Sequence, residues 1–229
     1  MFRSTVVKLG GHVLFDGMEL NLDYLRGLKE VLNEALQLYD CIAVTVGGGE
    51  IARKYIGWGR SLGLNESTLD VIGLRLAAVN AALLWAYFHN VAPPQIPSSL
   101  HEAVAALPVW KVIFIGGLQP AQSTTTVAAL LAEALNAEKL VIATDVDGVY
   151  DDDPKRNPHA RKFDEVTVSD IEGIFAGNLV AGGYRLLDPM TLSIIRRSRV
   201  TTFVISGKPP TNILRALKGE RIGTRIIPR

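Results

Sequence analysis

The sequence predicts an α/β protein, a three-layer αβα sandwich built on a mainly parallel central sheet. Two observations predict this fold. Short β-branched runs alternate with longer helical segments along the chain, which is typical of a parallel sheet. Three of the predicted strands run into glycine turns, as strands of such sheets often do before a ligand site. No long linker, low-complexity tract or repeat interrupts the 229 residues, so we expect a single domain over 1–229.

The predicted strands are short β-branched or apolar runs, and they span 5–7, 41–46, 112–115, 140–143, 202–205 and 224–227. The predicted helices follow apolar residues at helical spacing, such as Leu25, Leu28 and Leu32 in the first long helix. They span 22–38, 51–62, 67–90, 101–106, 124–135, 168–175, 189–197 and 212–217. Strands and helices thus alternate through most of the chain.

The amino-acid composition limits the kinds of partner and cellular location that we expect for this protein. The formal net charge is +1, so bulk electrostatics favour neither nucleic acid nor an acidic membrane surface as a partner. Cys41 is the single cysteine, which excludes an intramolecular disulfide, and its apolar surroundings predict a buried thiol. The apolar segment 76–88 is too short to span a bilayer, and no secretory signal is recognisable. We expect a soluble cytoplasmic protein.

Glycine turns follow the strands 5–7, 41–46 and 112–115, at Gly10-Gly11, at Gly47 to Gly49 and at Gly116-Gly117. Glycine at a strand end lets backbone N–H groups approach an anion, and a helix N-terminus adds partial positive charge. The three turns together predict phosphate binding, although each alone is compatible with an ordinary tight turn. They match neither the dinucleotide-binding nor the P-loop fingerprint, which disfavours a Rossmann dehydrogenase and a P-loop kinase.

Two cations stand beside these turns. Lys8 interrupts an otherwise apolar strand just before the first turn, and Arg53 lies about one helical turn after Gly49. Phosphoryl transfer requires concentrated positive charge on the migrating group. We therefore predict that Lys8 and Arg53 are catalytic, with solvated surface cations as the alternative.

An acidic segment follows the strand 140–143, with five aspartates between Asp145 and Asp153. It does not fit a calcium EF-hand loop, because Gly148 comes fourth instead of sixth and Arg156 occupies the twelfth position. A solvated acidic run is one alternative. Its position after a buried strand favours a nucleotide loop, in which Tyr150 lies against a purine ring.

Four stretches together resemble the amino-acid kinase superfamily. They are Lys8-Leu-Gly-Gly11, Gly47-Gly-Gly-Glu-Ile-Ala-Arg-Lys-Tyr55, Thr144-Asp-Val-Asp-Gly-Val-Tyr150 with Asp153-Pro154, and Ile222-Gly-Thr-Arg-Ile226. Their order and spacing resemble the uridylate (UMP) kinases of the archaeal type over essentially the whole chain. The resemblance implies transfer of the ATP γ-phosphoryl group to UMP, Mg²⁺ as cofactor and a homohexamer.

The resemblance also implies site residues. ATP would contact Gly10, Gly11, Gly49, Arg53, Thr144, Asp145, Tyr150 and Asp153. UMP would contact Gly48, Asp70, Gln119, Pro120, Ala121, Gln122, Ser123, Thr124 and Thr125. The acceptor-binding part would span roughly 1–135 and the ATP-binding part roughly 136–229. No metal ligand from the protein is expected.

The chain departs from the family pattern at three positions. His12 stands where the family usually has Ser, Thr125 where the acceptor loop usually ends in Asp, and Ser193 where archaeal members usually have Lys. His12 is expected either to replace a polar contact to phosphate or to cap the turn. Bacterial members have Lys in place of Asp145, so this is not that branch.

Two alternatives keep the fold and change the function. One is an enzyme with another acceptor, such as carbamate or isopentenyl phosphate. The other is a nucleotide-binding or storage protein with little kinase activity, which the departures at Thr125 and Ser193 suggest. The very apolar helix 67–90 is expected to be either an internal core helix or a subunit interface.

Overall fold

A seven-stranded sheet forms the middle layer of the structure, a computed structural model that describes residues 2–107, 109–176 and 187–229. The strands in these residues are β1 (Ser4–Leu9), β2 (Phe15–Asp16), β3 (Glu19–Leu20), β4 (Cys41–Val46), β5 (Val112–Ile115), β6 (Lys139–Thr144), β7 (Glu165–Thr167), β8 (Thr201–Ser206) and β9 (Thr224–Ile227). The sheet order is β5-β4-β1-β6-β8-β9-β7, and β2 pairs only with β3. The first five strands of that order are parallel, and β9 joins β8 antiparallel. The mainly parallel sheet is confirmed.

The helices flank this sheet, and five of those described begin at polar caps. They are α1 (Gly11–Leu14), α2 (Leu22–Ala35), α3 (Gly49–Ser61), α4 (Glu66–Tyr87), α5 (Leu100–Ala106), α6 (Thr124–Ala134), α7 (Val168–Ala176), α8 (Pro189–Ser198) and α9 (Thr211–Lys218). The side chains of Asn21, Asn65, Ser99, Ser123 and Asp188 each accept a backbone N–H in the first turn of the following helix. These caps satisfy donors that a helix leaves unpaired, which explains where the helices begin.

Two hydrophobic cores separate the three layers. Alternate residues of β4 point to opposite faces, so Ile42 and Val44 belong to one core and Cys41 and Ala43 to the other. The first core also takes its residues from α2, α4 and α9, and the second from α5, α6, α7 and α8. The two cores cover both faces of the central parallel strands, so ligands reach the sheet mainly at the strand ends.

Every predicted strand and helix is present, with ends that differ by at most a few residues. The buried Cys41 is confirmed, and burial raises the pKa of its thiol to about 12. The sequence analysis missed α1, the β2–β3 hairpin and β7. Each of them is at most four residues long, too short for a periodic apolar pattern to be recognised.

Helix α4 has two kinds of surroundings. By length and composition it is the one helix of the described residues that would be able to cross a membrane. Here Ala81 and Leu84 instead pack in the first core, and buried Asn80 donates to the carbonyl of Gly47 over 2.9 Å. The opposite side of α4 exposes apolar residues, including Val79. It is a helix of the domain with one uncovered apolar face.

Candidate active site

Two adjoining cavities lie at the carboxyl ends of β1, β4 and β6. The larger one, the Lys8 cavity, has a volume of about 430 Å³ and is lined by Lys8, His12, Arg53, Ser123, Thr124, Thr125, Thr144, Asp145, Val146, Asp153, Lys155 and Asp188. The smaller one, the Asp70 cavity, has about 210 Å³ and is lined by Gly48, Gly49, Ala52, Arg53, Ile56, Asp70, Gly73, Leu74, Ala77, Gln119, Gln122 and Thr124. Arg53 and Thr124 line both cavities, so the two spaces meet at these side chains.

Lys8 is the one basic residue of β1, and its ammonium group faces the larger cavity. Burial lowers the pKa of Lys8 to about 8, Asp145 opposes this decrease, and Arg53 adds to it. Loss of hydration disfavours the charged form, and a neighbouring cation does the same. An anion that enters the cavity would therefore restore the charge of this amine.

Arg53 follows the N-terminus of α3 by one turn. Its side chain is exposed, and it makes no ion pair with the residues that the structure describes. This guanidinium is therefore available to a ligand that spans both cavities. Lys8 and Arg53 line the same cavity, and their catalytic role stays a prediction.

The first two glycine turns touch each other. A Cβ atom on Gly11 would lie 2.1 Å from the backbone nitrogen of Gly49, a distance that no side chain allows. Gly49 itself has a φ of 70°, which favours glycine. The turns are anchored to the sheet, because Gly47 N–H donates to Leu9 O and Gly10 N–H to Ala143 O, each over 2.9 Å. Only glycine lets these two strand ends meet beneath the cavities.

The third glycine turn has a different physical cause. A Cβ atom on Gly116 would lie 2.7 Å from the backbone nitrogen of Ala78, and one on Gly117 would lie 2.0 Å from the Leu74 side chain. Both glycines thus let α4 pack closely on the end of β5. Neither residue lines the two cavities, so the third turn takes no part in this site, whereas phosphate binding at the first two turns stays a prediction.

Asp145 begins the acidic segment and has two basic neighbours. His12 Nε2 lies 3.1 Å from Asp145 Oδ1, and the Lys155 ammonium contacts Oδ2. The hydrogen bond from His12 and then the Lys155 contact hold the pKa of Asp145 well below its usual range, against the opposing effect of burial. His12 Nε2 also lies 3.4 Å from Thr144 Oγ1. His12 thus links the first glycine turn to the acidic segment.

Tyr150 and Asp147 belong to the acidic segment but do not line the Lys8 cavity. The Tyr150 hydroxyl donates to Asp147, which raises the pKa of Tyr150 to about 12, and Lys162 Nζ donates to Asp147 Oδ2 over 3.0 Å. The hydroxyl of Thr224 accepts the Val149 N–H over 2.8 Å. These contacts fasten the acidic segment to the start of β9.

Asp188 joins two parts of the chain that are distant in sequence. It caps α8 through the Thr191 N–H at 2.8 Å, accepts from Ser123 Oγ at 2.6 Å and accepts from Thr126 Oγ1 at 2.9 Å. Burial raises the pKa of Asp188, but these hydrogen bonds outweigh that effect and lower the pKa below its usual value. The N-termini of α6 and α8 are thereby held together at the edge of the Lys8 cavity.

Asp70 organises the segment 119–125 from the other side. Its Oδ2 accepts the Ala121 N–H over 2.8 Å. Ala121 has a φ of 64°, an unfavourable region for a residue with a side chain, and the bond to Asp70 helps to hold it there. Gln119 and Gln122 on either side face the Asp70 cavity.

Most of the predicted site residues lie together. The Lys8 cavity contains Lys8, Arg53, Thr144, Asp145, Asp153, Ser123, Thr124 and Thr125, and the Asp70 cavity contains Gly48, Gly49, Asp70, Gln119 and Gln122. Gly10 and Gly11 lie beneath the cavities rather than on their surface, and Tyr150, Pro120 and Ala121 are not among the lining residues. Ser193 is exposed on α8 and lines neither cavity.

Sequence reasoning missed Lys155 and Asp188 as site residues. A lysine directly after the acidic segment was a visible signal for the first. An aspartate before a proline marks the cap of α8, which was foreseen as a helix, but its bonds to Ser123 and Thr126 depend on the fold. Among the described residues no group of three His, Cys, Asp or Glu side chains is arranged to hold a metal ion.

Comparisons with known proteins agree with this geometry. Residues 3–206 match the model of the Amino acid kinase family. The chain is 48% identical over 227 residues to the uridylate kinase of Thermofilum pendens, covering 97% of this chain and 96% of that protein. It is 39% identical to the uridylate kinase of Pyrobaculum calidifontis, covering 96% and 98%.

A solved structure of uridylate kinase from Archaeoglobus fulgidus superimposes with a TM-score of 0.85 at 35% identity, covering 97% of this chain and 99% of that one. The UMP kinase structure from Bacillus anthracis has a TM-score of 0.80 at 22% identity, which supports the fold alone. The chain therefore belongs to the amino acid kinase family.

Proposed function

We propose that this protein is an ATP-dependent kinase that transfers the γ-phosphoryl group of ATP to UMP, giving ADP and UDP for pyrimidine nucleotide biosynthesis. One observation carries the proposal: two cavities meet at Arg53 and Thr124, with Lys8 on one side of the junction. A donor and an acceptor bound in adjoining spaces can exchange a phosphoryl group directly. The names of the relatives support UMP as the acceptor.

Lys8 and Arg53 carry the transfer. The migrating phosphoryl group bears charge on its three equatorial oxygens, and cations placed beside it lower the barrier. Lys8 approaches from the end of β1 and Arg53 from α3, so they reach the junction from two elements. The phosphate of UMP is ionised near neutrality, so no strong general base is needed.

The Asp70 cavity takes UMP. The phosphate lies at Gly48 and Gly49, where the N-terminus of α3 adds partial positive charge. Asp70 accepts a ribose hydroxyl, while Gln119, Gln122 and Thr124 of the segment 119–125 face the uracil ring and the phosphate. The acceptor-binding part spans roughly residues 1–135.

ATP occupies the Lys8 cavity. Thr144, Asp145, Tyr150 and Asp153 hold its adenosine side, and Gly11 and Gly49 offer N–H groups to its phosphates. The N–H of Gly10 is bonded to Ala143 O, so Gly10 contributes by keeping the first turn free of a side chain. This ATP-binding part spans roughly residues 136–229. Mg²⁺ would supply charge neutralisation on the phosphate oxygens when bound with ATP. The donor set fits a nucleotide-borne ion, because Asp145 is engaged by His12 and Lys155 and Asp188 by three hydroxyl groups.

The uncovered face of α3 and α4 suits contact with a second copy of the chain. Its exposed apolar side chains are Tyr55, Trp58, Leu62, Val79 and Leu83, with exposed fractions between 43% and 79%. Contiguous exposed apolar residues mark association surfaces in soluble proteins. We therefore propose a homo-oligomer, a hexamer by family resemblance, in the cytoplasm.

A coupled assay tests the function. ADP release is measured with ATP, Mg²⁺ and one acceptor at a time, namely UMP, CMP, carbamate or isopentenyl phosphate. We expect kcat/KM for UMP to exceed that for each other acceptor by at least tenfold. Nucleotide-dependent thermal stabilisation without ADP formation would instead support a binding or storage protein, the alternative that Thr125 and Ser193 suggest.

A further inference from the structure

A third cavity, of about 940 Å³, opens on the opposite edge of the sheet from the active site. It is lined by the starts of β6 and β8 at Lys139 and Thr201, by β9 at Arg225, and by the connection between α9 and β9. Thr144, which lines the Lys8 cavity, is five residues farther along β6. At about 3.3 Å per residue the two sites are about 16 Å apart along this strand. We call it the Lys139 cavity.

Strand pairing places several side chains that line the Lys139 cavity on one face of the sheet. Phe203 is paired with Arg225, and Arg225 with Glu165, so the three form a row across β8, β9 and β7. Phe203 packs with α9 in the first core, and Ile222 is partly buried against that core. The Lys139 cavity is thus the part of this sheet face that α9 leaves uncovered, with an apolar floor and a charged rim.

Several charges of the rim are already paired. Glu165 contacts Arg225 at 3.3 Å, and Glu220 contacts Arg215 of α9 at 2.7 Å. Lys162 bonds Asp147 at 3.0 Å. These pairs leave both lining glutamates with a cationic partner.

Two cations remain without a carboxylate partner among the described residues. Lys139 Nζ donates to the Leu217 carbonyl, a neutral acceptor, and burial lowers the pKa of its ammonium. Arg221 is exposed and forms no ion pair with the described part of the chain. Asp164 is the one acid lining the cavity that has no cationic partner among the described residues. A partly dehydrated ammonium group gains stability when an anion approaches it.

We propose that the Lys139 cavity binds a phosphorylated small molecule, whose phosphate is held by Lys139 and Arg221 and whose apolar or aromatic part lies on Phe203 and Ile222. The volume lies within the range of small-molecule sites. A phosphate satisfies both cations, and the apolar floor favours an organic phosphate over the inorganic ion. This site is separate from both active-site cavities.

Ligand binding in the Lys139 cavity affects the acidic segment through Lys162. This residue lines the cavity, bonds Asp147 and forms an isolated backbone bridge with Tyr150. The adjacent Phe163 carbonyl accepts from the Thr224 hydroxyl, which also holds Val149 N–H. A phosphate that attracts Lys162 weakens its bond to Asp147, so ligand binding here changes ATP affinity. This consequence rests on the proposed function, whereas the site itself does not.

Pyridoxal 5′-phosphate is a suitable probe, because it carries a phosphate, an aromatic ring and an aldehyde. The amine of Lys139 adds to the aldehyde, water leaves, and borohydride reduces the imine to a stable secondary amine. Labelling is performed with ADP and UMP present to cover Lys8, and each lysine is quantified by peptide mass spectrometry. We expect Lys139 to react at least fivefold faster than exposed Lys111.

Two controls isolate the phosphate contact. Pyridoxal without phosphate should show a much smaller preference for Lys139, limited to what the lowered pKa of this amine causes by itself. Arg221→Ala should reduce the preference of the phosphorylated probe to that level, whereas Arg26→Ala should preserve it. Equal labelling of Lys139 and Lys111 by the phosphorylated probe would overturn the site. So would a preference that pyridoxal reproduces or that survives Arg221→Ala.

Calorimetric titration of ATP into the labelled protein tests whether a ligand in the Lys139 cavity changes ATP affinity. We expect at least a threefold change in ATP Kd, which Lys162→Met should abolish. An unchanged Kd with Lys139 fully labelled would overturn this effect on ATP affinity. Absence of ATP binding by the unlabelled protein would contradict the proposed function and leave the labelling result standing.

Discussion

His12 Nε2 lies 3.1 Å from Asp145 Oδ1, so the residue that departs from the family's usual serine contacts the first aspartate of the acidic segment. A serine side chain is shorter and would not span this distance from the first glycine turn. No hydrogen bond joins the His12 side chain to the backbone of the described residues, so the expected cap is not seen, whereas the phosphate contact stays a prediction for a residue that lines the Lys8 cavity. In the structure His12 has a positioning role toward Asp145.

His12→Ser should weaken ATP binding. A charge-assisted hydrogen bond contributes about 1.5–3 kcal/mol, and partial exposure reduces this to about 1 kcal/mol. We expect KM for ATP to rise about fivefold with little change in KM for UMP, and His12→Gln to recover part of the loss. Steady-state kinetics measure both constants, with His89→Ser as the control. A loss confined to kcat would show that His12 acts on the reacting groups instead.

Lys8→Ala should lower kcat by more than tenfold, because it removes one of two cations from the cavity junction. Lys54→Ala is a matched control, since Lys54 is next to Arg53 on the same helix but pairs with Glu50. Turnover that survives the loss of Lys8 would remove this residue from the proposed mechanism.

The pH profile gives an independent test of Lys8. Its pKa of about 8 means that the ammonium is present below pH 8 and is lost as the pH rises through that value. We expect kcat/KM to fall on the alkaline side with an apparent pKa near 8, since kcat/KM reports the free enzyme. In Lys8→Arg this limb should disappear, because arginine stays charged. A limb that persists in Lys8→Arg would belong to another group.

Asp188→Asn should destabilise the fold and weaken UMP binding together. Asparagine keeps the shape but loses the charge that accepts bonds from Ser123, Thr126 and Thr191. We expect a loss of about 1–3 kcal/mol in the free energy of unfolding and a several-fold higher KM for UMP. Urea unfolding and kinetics measure these effects, with Asp170→Asn, which also accepts from a nearby threonine, as control.

The size of the Asp188 contribution to stability depends on pH. Its folded-state pKa is lowered, so its contribution is present above the unfolded pKa of about 3.9 and is lost as the pH falls through the folded value. The stability difference between the wild-type protein and Asp188→Asn should therefore shrink in acid. A difference that stays constant down to pH 3 would assign the effect to packing.

The fold was predictable because its signals are local. The strand 41–46 and the caps of α4 and α6 are recognisable from a few neighbouring residues. The site was predictable where a motif follows a strand, as at Lys8 or Asp145. The bond from Thr126 to Asp188 joins residues 62 positions apart, so only the packing of α6 on α8 reveals it. The hydrogen bond from Asn80 to Gly47 is hidden for the same reason, since a single asparagine in an apolar helix does not reveal its partner.

Gly11→Ala should be severely destabilising. The added methyl group would lie 2.1 Å from the Gly49 nitrogen, and the turns after β1 and β4 would have to separate. We expect a loss of about 3 kcal/mol or more in the free energy of unfolding, measured by urea denaturation. Gly57→Ala is the control, because its Cβ would meet nothing within 4 Å and alanine favours a helix by about 1 kcal/mol. Similar losses in both variants would contradict the close approach of the turns.

The uncovered face of α3 and α4 provides the last prediction. Trp58 is 57% exposed and Val79 is 62% exposed, and burial of both against another copy would remove apolar surface from water. A charge at either position would stay hydrated only if the copies separate at this face, so Trp58→Asp and Val79→Glu should each reduce the mass of the assembly. Light scattering measures the mass of each variant. The control is Leu22→Glu, a change at an apolar residue that is 55% exposed at the start of α2, and it should leave the assembly intact. If the wild-type protein is itself a monomer, these side chains contact solvent and the interface proposal fails.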